Sequence, residues 1–298
     1  MMNTLKEQVL LLGNGINDVT NHYRWSDLIT DLVEYAGLKI RIDVKKPFPL
    51  LYEEIYLTNL KSKNLSETKL KNFITQKMTA LVPNNIHQQI SSFGFSDIIT
   101  TNYDYTIEKA RQSSDKIGEL RNSGAIKEKR YSVFRSKQIQ NTKIWHTHGE
   151  IDNPNSILLG NEHYGGNLQH IRSYVVDGAS YSSFKSPSLI SLIKRNGVKN
   201  YSWADLMFTR DVHIVGLTLD FIELDLWWLI TYRARKKLER VLPINNRLTY
   251  YYPKEFEEAI RFKLEMLEAN EVSTVGIGNK HDKSYYTQVL NHIENKVN

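Results

Sequence analysis

The chain has 298 residues, of which 41% are hydrophobic and 24% charged, so it can bury the core of one large domain or two smaller ones. It contains no cysteine, which excludes disulfides, thiolate zinc sites, iron–sulfur clusters and a cysteine nucleophile. The net charge of +6 is compatible with an anionic ligand and does not require nucleic acid. No apolar run approaches the ~20 residues that cross a bilayer, and the polar N-terminus lacks the pattern of a secretory signal, which predicts a cytoplasmic protein.

Short apolar runs predict the strands of a sheet that is covered on both faces, because none of them alternates cleanly between apolar and polar residues. In chain order these runs are residues 9–12, 98–101, 143–145, 212–215, 248–252 and 272–275. Helical periodicity follows most of them, at residues 25–33, 221–228, 256–264 and 283–295. This alternation predicts an α/β fold with a doubly wound, mostly parallel, Rossmann-like sheet.

Two long stretches interrupt the alternation of strands and helices, and both are predicted to be helical insertions. Residues 38–90 and 161–207 are too long for loops and carry helical patterns, so we expect them to form a smaller helical domain beside the sheet. The larger, Rossmann-like domain then consists of residues 1–37, 91–160 and 208–298. The polar and basic residues 112–142 are predicted to form a surface excursion.

A glycine-rich turn directly follows the first predicted strand. Its sequence is Gly13-Asn14-Gly15-Ile16-Asn17. Glycine lets a phosphate approach the backbone N–H groups of a strand-to-helix turn closely. Taken alone, the motif is equally compatible with an ordinary turn.

Polar residues follow the second predicted strand, at Thr101, Asn102 and Asp104. Ligands of open α/β sheets collect at the carboxyl ends of strands, so this position favours a binding role. The Asn102 carboxamide can both donate to and accept from a water or a ribose hydroxyl. Asp104 is a candidate ligand residue and equally a candidate cap for the next helix.

Two histidines end the third predicted strand, at His146 and His148. Their alternate spacing permits both rings to lie on one face, as in a two-histidine metal site. No third ligand accompanies them in the sequence, so we predict no metal. The glycine at position 149 instead predicts a turn that exposes His148 at a cleft.

The fourth predicted strand ends in Gly216, followed by Thr218 and Asp220. Gly216 can admit a ribose or a pyrophosphate, and Asp220 is at a plausible helix N-cap from which it could reach ribose hydroxyls. An ordinary strand-to-helix turn is the alternative. Further on, the basic residues 233–240 predict a helix end that faces solvent or a partner. Contact with nucleic acid is the alternative.

Four motifs together resemble the ordered motif set of the sirtuin superfamily over about residues 8–280. They are Gly13-Asn14-Gly15-Ile16-Asn17, Thr101-Asn102-Tyr103-Asp104, His148-Gly149 and Gly216-Leu217-Thr218. The first resembles the family's glycine-rich NAD loop, and the third resembles its catalytic His-Gly. The resemblance implies a sirtuin-type sheet and an NAD site. The four-cysteine zinc module of the deacetylases is missing, so a peptide-deacetylating groove is not expected.

Three further features are Asn102 within Thr-Thr-Asn-Tyr-Asp, the segment 156–160 with His163 and Tyr164, and Trp25 with Leu28 in the first helix. With them, the chain is similar, within that superfamily, to the bacterial sirtuin-like domains of anti-phage defence systems. The resemblance implies an NAD glycohydrolase with NAD as substrate, catalytic Asn102 and His148, and an abortive-infection role. It implies that Gly13, Asn14 and Gly15 carry the pyrophosphate. The further expected NAD-binding residues are Ile16, Asn17, Thr101, Asp104, Gly216, Thr218 and Asp220.

The partners follow from the same resemblance. We expect a homo-oligomer and a separate activating subunit such as a HerA-type ATPase, with nucleic acid involved only indirectly and no membrane. AbiH-type abortive-infection proteins share the Gly-Asn-Gly start and the His-Gly. The alternatives left open are a non-catalytic subunit that binds NAD or ADP-ribose and a scaffold of a DNA-translocating complex.

Overall fold

A computed structural model of the chain describes residues 7–21, 24–62, 65–112 and 120–297. Residues 1–6, whose polarity argued against a secretory signal, lie outside the described residues, as do residues 113–119 of the predicted surface excursion. In the ranges that are described, no helix is both long enough and apolar enough to cross a membrane.

The centre of the fold is a seven-stranded sheet with the strand order β3-β4-β2-β1-β7-β8-β9. Its neighbouring strands pair in parallel, except that β3 runs antiparallel to β4. The strands of the fold are β1 (Gln8–Leu12), β2 (Asp97–Thr100), β3 (Lys137–Ile139), β4 (Thr142–His146), the small hairpin β5 (Ala179–Ser180) and β6 (Lys185–Ser186), β7 (Asp211–Val215), β8 (Leu248–Pro253) and β9 (Val272–Ile277).

Helices cover both faces of this sheet, as the near-continuous apolar strands require. They are α1 (Gly15–Asn21), α2 (Trp25–Tyr35), α3 (Phe48–Ser62), α4 (Glu67–Thr79), α5 (Asn85–Ser92), α6 (Thr106–Gln112), α7 (Asn161–Val176), α8 (Leu189–Lys194), α9 (Trp203–Thr209), α10 (Leu224–Leu238), α11 (Arg261–Ala269) and α12 (Lys283–Val297).

Strand β1 shows how the two faces are built. Val9 and Leu11 belong to a core layer shared with α7 to α11, whereas Leu10 and Leu12 belong to a layer shared with α1, α5, α6 and α12. Successive side chains of a strand point to opposite faces, so an unbroken apolar run feeds both layers. The predicted doubly wound, mostly parallel α/β sheet is confirmed.

A third apolar cluster lies beside the sheet. It joins α2, α3 and α4 to the segments that follow β2 and β4, through Tyr103, Ile157 and Leu159. Helices α7, α8 and α9 of the second predicted insertion contribute to the core layer of the sheet itself. The division into a Rossmann-like domain and a smaller helical domain stays a prediction.

The structure corrects three predicted elements. The excursion at residues 112–142 contains an edge strand, β3, which has too few apolar residues to be seen as a strand in the sequence. Helix α10 begins at Leu224 rather than near residue 221, because Leu219 adopts a left-handed backbone conformation and a turn follows it. Helix α11 begins at Arg261, after a short 3-10 turn at Lys254–Phe256.

Candidate active site

The turn after β1 packs tightly against the end of β7. Gly13 N donates to Val215 O at 3.1 Å, and Gly15 N donates to Gly216 O at 2.8 Å. A Cβ added at Gly13 would come within 2.5 Å of Gly216 O. The glycines therefore serve the close approach of two backbone segments, and the amide hydrogens of Gly13 and Gly15 are directed at β7.

Asn102 lies just beyond β2 and is tied to this turn. Its Nδ2 donates to Gly13 O at 3.3 Å, and its backbone N–H donates to Thr100 Oγ1 at 3.1 Å. Its side-chain Oδ1 is buried and has no hydrogen-bond partner among the described residues. A buried acceptor without a partner is rare in folded proteins and is expected to bind a water or a ligand.

His146 holds the backbone of Asn102 by a hydrogen bond. Its Nδ1 donates to the backbone oxygen of Asn102 and its Nε2 donates to Glu108 Oε1, each at 2.7 Å. Burial lowers the pKa of His146, but the charge and hydrogen bond of Glu108, the charge of Glu150 and the hydrogen bond to Asn102 together outweigh burial and raise the pKa to about 9. A protonated ring is the form that donates from both nitrogens.

The charged pair of His146 and Glu108 predicts a pH-dependent stability. A histidine whose pKa is raised from 6.5 to about 9 on folding stabilises the protein below pH 6.5, and this contribution is lost as the pH rises through 9. We expect that loss to be roughly 3 kcal/mol in the free energy of unfolding.

Denaturant unfolding at both ends of that pH window, compared with a His146→Gln/Glu108→Gln double variant, measures the contribution. The double variant keeps neutral hydrogen-bonding groups but has no charge to lose, so its stability should fall less between the two pH values. An equal fall in both proteins would contradict the assignment.

His148 turns to the other side of the sheet from His146. Its Nε2 is 3.0 Å from Asp225 Oδ2 in the first turn of α10, and Asn167 Nδ2 donates to the same oxygen at 2.6 Å. Tyr164 packs against the imidazole edge-on, with ring centroids 5.3 Å apart. The prediction that both rings lie on one face assumed that the strand continues to position 148. Strand β4 ends at His146, so the regular alternation of side chains stops before His148.

The contact between His148 and Asp225 favours the charged form of both side chains. Burial lowers the pKa of His148, but the attraction of Asp225 and its hydrogen bond outweigh burial, and the pKa is raised. Burial likewise raises the pKa of Asp225, and the charge of His148 with the hydrogen bonds to Asp225 brings it below its usual value. An imidazolium fixed through Nε2 presents Nδ1 as a donor, and that nitrogen makes no hydrogen bond within the described ranges.

His148 forms part of the wall of a cavity of about 460 Å³ at the carboxyl ends of the strands. That size is in the range of small-molecule sites. The structure brings to this cavity seven of the residues predicted from the sequence, Asn14, Gly15, Thr101, His148, Gly216, Thr218 and Asp220. The aromatic part of the wall consists of Trp25, Phe48, Tyr164, Tyr250, Tyr251, Tyr252, Phe256, Tyr285 and Tyr286.

Other predicted residues do not line the cavity. They are Gly13, Ile16, Asn17, Asn102 and Asp104. Ile16 belongs to an apolar core layer. Asp104 accepts from Asn17 Nδ2 at 2.9 Å and from the backbone N–H of Thr106 at 3.0 Å, so it caps α6 and braces the glycine-rich turn at once.

The structure corrects the predicted role of Asp220 as a helix cap. The cap position of α10 is occupied by Glu223, and Asp220 is an exposed residue of the preceding turn whose carboxylate accepts from Phe221 N at 2.7 Å. Two acidic residues that the sequence did not single out also belong to the site, Glu223 in the cavity wall and Asp225 beside His148. Their only local signal is a cluster of acidic residues in an otherwise apolar stretch.

The basic segment at residues 233–240 has fewer side chains free to contact a partner or nucleic acid than its sequence suggests. Arg233 is fully buried and donates from its Nη2 to Asn246 Oδ1 at 3.0 Å. Lys237 pairs with Glu271 at 2.7 Å. These internal partners do not favour a nucleic-acid surface. In the described residues, no group of three or more histidine and acidic side chains is arranged to hold a metal ion.

Comparison with known proteins agrees with this geometry. Residues 96–192 match the family model of the SIR2-like domain, a stretch that includes Asn102 and His148. The predicted resemblance to sirtuin-like domains is confirmed over this stretch. A protein of Acinetobacter baumannii (strain 532279), named NAD(+) hydrolase ThsA, is 22% identical over 174 residues, which cover 56% of this chain and 32% of that protein. The chain thus aligns with about a third of the length of this relative.

Proposed function

We propose that the protein is an NAD glycohydrolase, which cleaves NAD to ADP-ribose and nicotinamide. The observation that carries the proposal is the cavity at the strand ends, where the His148–Asp225 pair meets the turn that holds Asn102. The SIR2-like match and the relative named as an NAD(+) hydrolase support the same chemistry.

The bond that breaks joins nicotinamide to C1′ of the ribose. Its electron pair leaves with nicotinamide, which becomes neutral and needs no proton from the protein. A water adds to C1′ and releases one proton. The protein has to hold the ribose, exclude bulk water and stabilise a positively charged, oxocarbenium-like transition state.

The side chains of the site fit these tasks. His148 would donate from Nδ1 to a ribose hydroxyl, since Nε2 is held by Asp225. Asn102 does not line the cavity, so its free Oδ1 would orient the ribose or the attacking water through a water bound at that oxygen. The residues of the glycine-rich turn that face the cavity, Asn14 and Gly15, would lie along the pyrophosphate.

We extend the proposal to biological context on the strength of the family resemblance. The protein would act in the cytoplasm as an abortive-infection effector of anti-phage defence, as a homo-oligomer. A partner such as a HerA-type ATPase would switch it on, and nucleic acid would contact that partner rather than this chain.

One assay tests the catalytic part of the proposal. The purified protein is incubated with NAD, alone and together with the products of its neighbouring genes, and the products are separated by chromatography. Equal amounts of ADP-ribose and nicotinamide are the expected result. NAD that stays intact in both incubations would overturn the proposal, and calorimetry would then show whether the protein only binds NAD.

A further inference from the structure

Glu223 is a buried carboxyl group in the wall of the cavity. It occupies the N-cap position of α10, and its Oε2 accepts from the backbone N–H of Asp220 at 2.8 Å. In the described parts of the chain, its Oε1 accepts no hydrogen bond and the carboxyl forms no ion pair. The other acidic residues of the wall differ, because Asp18 pairs with Arg24 at 2.7 Å and Asp220 is exposed.

Glu223 interacts with titratable groups on the elements around that end of the cavity. Burial raises the pKa of Glu223 to about 7, His148 opposes this rise, and Asp225 adds to it. A carboxyl of this kind changes charge near neutral pH. The titratable groups that interact with it are His148 after β4, Asp220 and Asp225 around the start of α10, Tyr103 after β2, Tyr164 of α7, Tyr250 of β8 and Lys263 of α11.

We infer that Glu223 is a further catalytic residue and acts as the general base for the water that attacks C1′. This inference rests on the proposed function. The water oxygen forms the new bond to C1′ while the C1′–N bond breaks towards nicotinamide. The proton of the water passes to Oε1 of Glu223 and from there to solvent. No other reactant is required.

The charges of Glu223 and His148 give the two side chains different roles. The Asp225 carboxylate favours the protonated form of His148, and that form donates a hydrogen bond but cannot take up a proton. Ionised Glu223 leaves the group of Glu223, His148 and Asp225 with a net negative charge, which stabilises a cationic transition state. The fitting substrate is therefore a ribosyl pyridinium, whose positive charge lies at the bond that breaks.

The test measures NAD hydrolysis by the full chain from about pH 5.5 to 9. The wild-type rate should rise with pH through about 7 as Glu223 ionises. Glu223→Gln should lower the rate about 10²-fold or more and abolish this rise. Glu223→Asp, which keeps a carboxylate, should restore part of the rate and the rise. The matched control is Glu265→Gln, an exposed residue of α11, which should behave as wild type.

Stability separates this role from a structural one. Because folding raises the pKa of Glu223, its ionisation destabilises the folded protein as the pH rises towards 7, so Glu223→Gln should melt at a higher temperature than wild type at pH 8. A Glu223→Gln protein that hydrolyses NAD at the wild-type rate with the same rise would overturn this inference alone. Wild-type protein that leaves NAD intact, both alone and with the products of its neighbouring genes, would overturn the proposed function as well.

Discussion

Replacing His148 by alanine is expected to lower the rate of NAD cleavage about 10³-fold or more. The variant loses an imidazole of the cavity wall that is held by a buried carboxylate, and with it the donor to the ribose. Asn102→Ala should have an effect of similar size, because its buried Oδ1 has no partner in the described structure and is the acceptor proposed to orient the ribose or the water. Nicotinamide release, followed by chromatography, measures both losses.

His170 provides the matched control for His148. It also pairs with a carboxylate, at 3.0 Å from Glu128, but it is partly exposed on α7 and lies outside the cavity wall. His170→Ala should cleave NAD at the wild-type rate. Circular dichroism establishes that each variant is folded. Folded His148→Ala and Asn102→Ala proteins with wild-type rates would show that the catalytic site lies elsewhere.

The strands could be predicted from the sequence because their apolar runs are local features. The meeting of the site residues at one edge could be predicted because it follows from the topology of a parallel sheet. Apolar runs without alternation indicate a sheet covered on both faces, and β1 is such a run. Parallel neighbours bring their carboxyl ends to one edge, so the pairing of β2 with β4 carries Asn102 and His148 to the same rim.

The partners of these residues were not accessible, since they depend on contacts between distant parts of the chain. His148 and Asp225 are 77 positions apart, and no local pattern couples them. His146 and Glu108 are 38 positions apart, so the sequence showed two equivalent histidines where the structure has two different ones. Glu223 was overlooked because the helix start was expected at Asp220.

Each of the two histidines has its own carboxylate and its own task. The pair of His146 and Glu108 holds the backbone of Asn102, and the pair of His148 and Asp225 faces the cavity. With Glu223 as the base, activity requires an ionised Glu223 and a protonated His148 at the same pH. The rate should therefore follow a bell-shaped pH profile, with an acidic limb from the carboxyl and an alkaline limb from the imidazolium.

Asp225→Asn should remove most of the activity near neutral pH although Asp225 does not touch the substrate. Asp225 acts as a positioning residue, since its charge raises the pKa of His148 and its Oδ2 fixes the ring. The asparagine removes the charge, so burial prevails and His148 becomes neutral at neutral pH. We expect a loss on the order of 10³-fold, with the alkaline limb of the profile moved to lower pH.

Two readouts distinguish this effect from a general loss of structure. Proton NMR follows the His148 ring, which should titrate above its usual range in the wild type and below it in Asp225→Asn. Asp205→Asn is the matched control, because Asp205 is equally buried and accepts from Tyr174 at 2.6 Å outside the cavity. An Asp225→Asn protein with an unshifted His148 titration and a wild-type alkaline limb would mean that the imidazole keeps its proton without Asp225.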